Sequence, residues 1–556
     1  MFHNMSVINE IADRFVSEYA LLNPIVATTM GVVGYDELMP DLSPAGFAAV
    51  EDLIKSTLAA IRRTSPATDR EQIAKEAMIE RLTIATELYQ ADDVTSELNV
   101  IDSPIQFVRQ VFDLMPVDTE EARHNLIARM NQVPAVYAGL CQTYREAASR
   151  GRVAPRRQVL ACAKQCAEWS AARGGFYTGL VERIGATGQI RADLDRAAEA
   201  ATAGTAEFGR FLETELLPLA GPLDAAGRDR FERASRFFLG AQIDPDEAYA
   251  WGWSEVIRIE EEIRQVAAKI TPSGSVPEAV AALEADPDRR IRGREALRDW
   301  MQGVADSTIA ELNGVHFDIP EPACRIEAMI APTEDGGVYY TGPSEDWSRP
   351  GRMWWAVPNG VDDFSTWKEL TTIYHEGVPG HHLQVAQAVF MRDQLNRWQR
   401  LMGWVAGHGE GWALYAERLM DDLGYLSDPG GKLGMLDAQL LRAARVVVDI
   451  GIHVELPIPA DSPWHPGERW NAELTWEFLR SRVQTDDHLL RFELDRYLGW
   501  PGQASSYKLG ERSWLQARDD ARNRKGAEFD LKRFHSQALE LGPMGLDPLQ
   551  AALARI

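Results

Sequence analysis

Cysteine is scarce, with four in 556 residues (Cys141, Cys162, Cys166 and Cys324) and no CxxC pair. So few thiols fit a reducing compartment, and a chain of this length buries a large core without disulfide staples. Cys162 and Cys166 stand four apart in a helical stretch, yet two thiols alone make a poor zinc site. Long apolar runs are missing as well. Nowhere do eighteen or more apolar residues follow one another, so no transmembrane helix is expected. The opening MFHNMSVINEIADRF has no basic leader, apolar run and small-residue cleavage site. It therefore reads as no signal peptide, and the cytoplasm is the expected compartment. Positive charge is in deficit: 58 Lys and Arg face 83 Asp and Glu, a formal net charge of −25. That balance argues against nucleic acid and anionic lipid as partners and serves solubility. No repeat of fixed period and no low-complexity tract appears.

Apolar residues make up 45% and charged residues 25%, ordinary for a globular protein. Residues 1–310 read as helix after helix. AAVEDLIKSTLAAIRRT, REQIAKEAMIERLTIATELYQ, HNLIARMNQVPAVYAGLCQTYREAASRG and RADLDRAAEAATAGTAEFGRFLETEL all place apolar residues three and four apart. Clusters of proline and glycine such as LLPLAGPLDAAG and KITPSGSVPE separate them. The texture changes near residue 312. GVHFDIPEPACRIEAMIAP, GGVYYTGP and GRMWWAVPNG predict two to four short strands. Helical patterning resumes with FSTWKELTTIYHEGVPGHHLQVAQAVFMRDQL and continues to the end. The expected fold is mainly α. Residues 1–310 form one helical region, and residues 311–556 form a catalytic region with a small sheet beside a His-Glu helix.

The chemistry centres on His375-Glu376-Gly377-Val378-Pro379-Gly380-His381-His382. A His followed by Glu on a helix suits zinc hydrolysis, the His as ligand and the Glu as base toward a water. The usual second His, four residues on, is replaced by Pro379, and histidines stand instead at the sixth and seventh positions. Proline interrupts the helical ladder, so a kink is predicted there. On an undistorted helix His382 would share the His375 face about 10 Å along the axis, whereas a bulge would swing His381 or His382 back; the residues leave both open. A third ligand is expected from Gly407-His408-Gly409-Glu410-Gly411-Trp412, with Glu410 facing inward and the glycines letting its helix approach the metal helix. Glu417, one helical face on, reads as a carboxylate behind the ligands or on the surface. Arg445, Asp449 and His453 form one stripe on a later helix. The stripe is either a structural ion-pair seam or a support for His453, as a donor to a developing oxyanion or a partner of a ligand. In Arg496-Tyr497-Leu498-Gly499-Trp500-Pro501-Gly502-Gln503-Ala504-Ser505-Ser506-Tyr507-Lys508, Tyr507 is a candidate proton donor to a tetrahedral intermediate. Lys508 and Arg496 are candidates for a substrate carboxylate.

The HExxPGHH stretch, NPIVATTMGVVGYDELMPDLSP, GEGWALYAE, RVVVDIGIH and PGQASSYKLGE together resemble the domain of unknown function 885 family over nearly the whole chain. That family looks distantly similar to helical zinc peptidases such as angiotensin-converting enzyme, thimet oligopeptidase and the thermostable carboxypeptidases. The resemblance implies a helical body split by a groove with one zinc ion at its floor. Matching the GHxL ending to Gly380-His381-His382-Leu383 makes His381 the second ligand, with His375 the first, Glu410 the third and Glu376 the general base. Tyr507 and His453 follow by analogy as groups acting on the tetrahedral intermediate. The implied activity is zinc-dependent cleavage of short peptides. A zinc hydrolase of a non-peptide amide or ester and a non-catalytic metal-containing binding protein are the two alternatives.

Overall fold

A computed structural model of the chain describes residues 6–331 and 337–555. The leader-free reading of the N-terminus rests partly on residues 1–5, which lie outside the described residues. The fold is mainly α, with 67% helix and 4% strand. The helices form where the patterning places them: Pro44–Arg63, Asp69–Gln90, Glu120–Ser149 and Gly188–Phe211. Local chemistry starts many of them. A polar cap followed by proline recurs at Ser43-Pro44, Ser103-Pro104, Asp244-Pro245 and Asp428-Pro429. The cap satisfies an orphan N–H, and proline has none to satisfy. Among the described residues, no helix is long and apolar enough to cross a membrane. All four cysteines are free, three of them buried.

The chain divides into two compact units. The first comprises residues 1–65, 82–233 and 491–501, and the second residues 66–81, 234–490 and 502–556. The texture change near residue 312 is a change of secondary structure within the second unit. Helix Pro245–Ile270 explains why: its Gly252 meets Val446 and Val447 closely, and a Cβ there would fall 2.8 Å from Val446 Cγ1.

The first unit is an apolar helical assembly. Its core runs through Phe112, Leu126, Met130, Val133, Tyr137, Leu140 and Phe208. Tyr137 stacks on Phe208 at 4.7 Å between ring centroids. Gly204 lies against Pro134, the proline inside helix Glu120–Ser149, so two long helices meet where neither has a protruding side chain.

The second unit carries the elements that matter for chemistry: β1 (Ile326–Ile330), β2 (Val338–Thr341), β3 (Gly351–Trp355), α1 (Thr366–Glu376), α2 (His381–Phe390), α3 (Ala406–Asp422), α4 (Pro429–His453) and α5 (Ser506–Lys525). β3 is the central strand, parallel to β1 and antiparallel to β2. A two-stranded ribbon pairs 290–292 with 363–365 and leads directly into α1. The sheet lies beside the His-Glu helix, where Trp355 Nε1 donates to Glu369 Oε2 at 2.7 Å.

The glycines of α3 serve a different neighbour from the one expected. A Cβ on Gly411 would fall 2.5 Å from Gly510 C, and one on Gly510 would fall 2.1 Å from Gly407 O. Gly407, Gly411 and Gly510 therefore let α3 touch α5 backbone to backbone, rather than bringing α3 to α1.

Candidate metal centre

α1 stops at Glu376, and the predicted kink is a full break. Gly377 to Gly380 form a turn in which Gly380 N–H donates to Tyr374 O at 3.0 Å and His382 N–H to Gly377 O at 3.1 Å. Gly380 is required there, since a Cβ would fall 1.9 Å from the His375 carbonyl oxygen. Trp412 Nε1 donates to Pro379 O at 2.9 Å and Gly380 O at 3.3 Å, tying the turn to α3. α2 then starts at His381, whose ring stands 4.8 Å from that of His375, nearly perpendicular to it.

The result is a buried cluster. Ligand-capable atoms of His375, Glu376 and His381 all lie within 4.8 Å of one another. Glu410 Oε2 sits 3.3 Å from His375 Nε2 and 3.4 Å from His381 Nε2. Tetrahedral zinc with bonds of about 2.1 Å sets its ligand atoms about 3.4 Å apart, so these separations fit such an ion with His375, His381 and Glu410 as protein ligands. His381, not His382, joins this cluster. His382 Nε2–H donates to Ala323 O at 2.8 Å and its Nδ1 accepts from the Tyr340 hydroxyl at 2.9 Å. Both nitrogens are occupied, and burial pushes the imidazole down to about 4, so it is neutral. His382 is thus corrected from alternative ligand to a brace between β2 and the segment before β1.

His375 is held from behind. Glu417, buried, accepts from His375 Nδ1 at 2.7 Å and from Thr371 Oγ1 at 2.6 Å. That bond fixes the His375 tautomer and leaves Nε2 facing the cluster. Burial alone would lower the His375 imidazole, but Glu410 and Glu417 outweigh it and push it up to about 10. Burial would raise Glu410, while the charge of His381 and the hydrogen bonds from His375 and His381 hold it well below the usual range. The charged imidazole and carboxylate forms thus stabilise one another. Glu376 differs: burial raises it against the lowering pull of His381 and His375, and its Oε2 has no hydrogen-bond partner.

The other predicted residues divide. Asp449 Oδ1 accepts from Gly502 N–H at 3.1 Å and its Oδ2 from Ser505 N–H at 3.0 Å, with His453 Nε2 3.8 Å from Oδ1. The Arg445 guanidinium covers the Tyr507 ring at 4.8 Å. The stripe on α4 thus grips the loop before α5 and, through Tyr507, the first turn of α5, which favours the structural seam. Lys508 is corrected. It is buried, with its ammonium donating to Gln439 and Glu511 and lying 3.5 Å from Glu255, so no face remains for a substrate carboxylate. Arg496 belongs to the first unit, where it pairs with Glu493 at 3.1 Å and lies over Trp500.

Sequence reasoning missed Thr371 and Trp404. Trp404 is 49% exposed, and its ring lies 5.8 Å from that of His381. Gly409 makes room for it, since a Cβ there would fall 2.1 Å from the indole. An exposed tryptophan between two glycines in GWVAG was the available signal.

Fold and centre together define a mainly helical protein with a buried two-histidine, two-glutamate cluster at a helix break. The chain belongs to the family described as "Bacterial protein of unknown function (DUF885)", whose model matches residues 24–553. No curated protein matches it. Two of the solved structures that match share the fold over nearly the full length. One is the crystal structure of a "putative lipoprotein" from Colwellia psychrerythraea, with TM-score 0.84 and 22% identity, covering 99% of this chain and 98% of that one. The other is a "putative lipoprotein of unknown function" from Shewanella oneidensis, with TM-score 0.75 and 17% identity, covering 98% and 99%.

Proposed function

We propose that the chain is a zinc-dependent hydrolase, a metallopeptidase acting on short peptides. The observation that carries this reading is Glu410 Oε2 within 3.4 Å of two imidazole Nε2 atoms, beside a buried Glu376 whose Oε2 has no partner. His375, His381 and Glu410 would hold one zinc ion, which would supply Lewis acidity toward a water and a carbonyl. Glu376 takes the proton of the attacking water; its raised proton affinity suits that task and the later delivery of the proton to the leaving amine. Glu417 and Thr371 keep the His375 ring in place. The likeness to helical zinc peptidases rests on the His-Glu pair and a glutamate from a separate helix, with two residues more between the histidines. Four free cysteines fit the cytoplasm as the proposed location; the name borne by the Colwellia neighbour speaks for the cell envelope instead, and fractionation separates the two.

The test is zinc-loaded protein assayed against blocked dipeptides and short oligopeptides. Cleavage that stops with a chelator and returns with zinc is expected. Glu376→Gln is expected to keep the metal and lose about 10²–10⁴-fold in turnover. Turnover confined to non-peptide amides or esters would change the substrate class. Unchanged turnover in Glu376→Gln would reject the base.

A further inference from the structure

We propose that Trp404 is the side-chain platform of this centre: its indole receives an aromatic or large apolar side chain of the substrate, beside the bond that is cut, and so sets specificity. The inference rests on the zinc-hydrolase reading for the reaction, while the contact itself stands on the geometry around His381 and Glu410.

Trp404 lies in the short segment between helix Arg397–Met402 and α3. That segment is pinned on both sides of the tryptophan. Gly403 is pressed against backbone, since a Cβ there would fall 2.6 Å from Gln399 O and 3.0 Å from Pro543 O. Val405 is buried at the start of α3, and its carbonyl accepts from the His408 and Gly409 N–H groups at 3.0 Å. The indole between them lies across the first turn of α3. A Cβ on Gly409 would fall 2.1, 2.5 and 2.7 Å from three atoms of its six-membered ring. Gly409 is two residues from both Gly407 and Gly411, so it looks out on the side of α3 opposite the pair that meets Gly510. A glycine inside a helix is destabilising, and here the room it leaves is filled by an indole rather than by backbone.

The same indole borders the centre and water. Its ring stands 5.8 Å from that of His381, and the residue is 49% exposed. The groups of the cluster are unequally shielded. The side chains of His375 and His381 are 5% and 8% exposed, and Glu376 is 6% exposed, whereas the Glu410 side chain reaches 19%. The cluster therefore opens at Glu410, the residue that follows Gly409, and the indole stands at that opening. Single apolar residues on a surface are ordinary. Trp404 is set apart by being fixed in place, against a cluster histidine, on the side from which a substrate must come. An indole offers large contact area at little entropy cost, and aromatic partners pack on it offset or edge-on.

The experiment uses three hydroxamates, which anchor on zinc through the same group and differ in the rest: acetohydroxamic acid, phenylpropionohydroxamic acid and the cationic aminohexanohydroxamic acid. Their binding to zinc-loaded wild type, Trp404→Ala and Trp404→Phe is measured by calorimetry, with zinc content read alongside. Wild type is expected to bind the phenyl probe about 10- to 50-fold more tightly than acetohydroxamic acid. Trp404→Ala should erase that advantage with the zinc still held, and Trp404→Phe should keep most of it. In protein carrying fluorotryptophan, the fluorine resonance missing from Trp404→Phe should move with the phenyl probe well beyond its movement with acetohydroxamic acid. Peptides with phenylalanine beside the cut bond should be favoured over alanine in the same way, through KM. Discriminating binding without any turnover would keep the platform and sink the hydrolase. Equal losses for the phenyl and acetohydroxamic probes in Trp404→Ala would overturn the proposal, because Trp404 would then only prop His381. Equal affinity of wild type for those two probes, preference for the cationic probe, or binding of none of the three would overturn it as well. Zinc content tells a failed metal site from a failed platform. Thermal melts reveal a folding failure, and the fluorine signal of wild type carries the test if Trp404→Ala does not fold.

Discussion

Two buried polar clusters lie in the second unit, and they are built differently. Around Lys508, every charge meets its complement: the ammonium reaches Gln439, Glu511 and Glu255. Around His375, the supporting groups are saturated but the inner ones are not. Glu417 is fully engaged, while Glu376 Oε2 has no partner. Burying a polar atom without a partner costs about 1–3 kcal/mol. A cluster that satisfies itself holds the fold, whereas one that leaves its inward atoms unmet is shaped for something the chain does not supply.

The sharpest break of this contrast is Glu376→Gln against Lys508→Ala. The first is expected to melt close to wild type while turnover falls by the factor given above. The second strips the cation from Glu511, whose carboxyl burial already pushes up. It should lower the unfolding free energy by about 3–5 kcal/mol in urea titrations, with metal content unchanged in the folded fraction. If Lys508→Ala left stability intact and abolished activity, the two clusters would have been assigned the wrong way round.

A smaller effect sharpens the division within the His375 cluster. Glu417→Gln keeps a hydrogen-bond acceptor but loses the charge behind His375, and should weaken zinc binding about 10–100-fold in competition with a chelator. An unchanged affinity would reduce Glu417 to a helix-packing residue.

The smallest effect concerns a buried neutral histidine outside both clusters. Burial, with some help from Arg518, pushes His535 down to about 3, and its Nε2 lies 2.7 Å from the Tyr415 hydroxyl. Its unfolded value is about 6.5. Below that pH the unfolded chain takes up a proton that the native state refuses. The stability this group contributes is therefore complete above about 6.5 and falls by about 1.4 kcal/mol per pH unit toward 3. Urea titrations at pH 7.5 and 5.5 should show His535→Gln losing one proton's worth of that slope. Equal slopes in both proteins would mean that His535 titrates normally.

Much of the centre was legible in the residues. His375-Glu376 and Glu410 could be read because a His-Glu pair on a helix and an inward acid among small residues are local signals. The second histidine of the cluster could not be read from spacing, since its position depends on how the chain passes Gly380, where the backbone comes against the His375 carbonyl. The likeness in GHxL pointed to His381. What failed was whatever depended on distant neighbours. The α3 glycines face Gly510, a hundred residues on, and nothing local distinguishes that from contact with α1. Lys508 looked like a free loop cation because Glu255 and Gln439 are far away in sequence. The helices of the first 310 residues were plain in their periodicity, yet the border between compact units at 233 was not, because Gly252 meets Val446 only in the folded state.

Metal content of three purified proteins tests the account most directly: wild type, His381→Ala and His382→Gln, each loaded with zinc and dialysed. One tightly held ion per chain in wild type, its loss in His381→Ala and its retention in His382→Gln are the predicted results. An ion absent from wild type, or kept by His381→Ala and lost by His382→Gln, would contradict it.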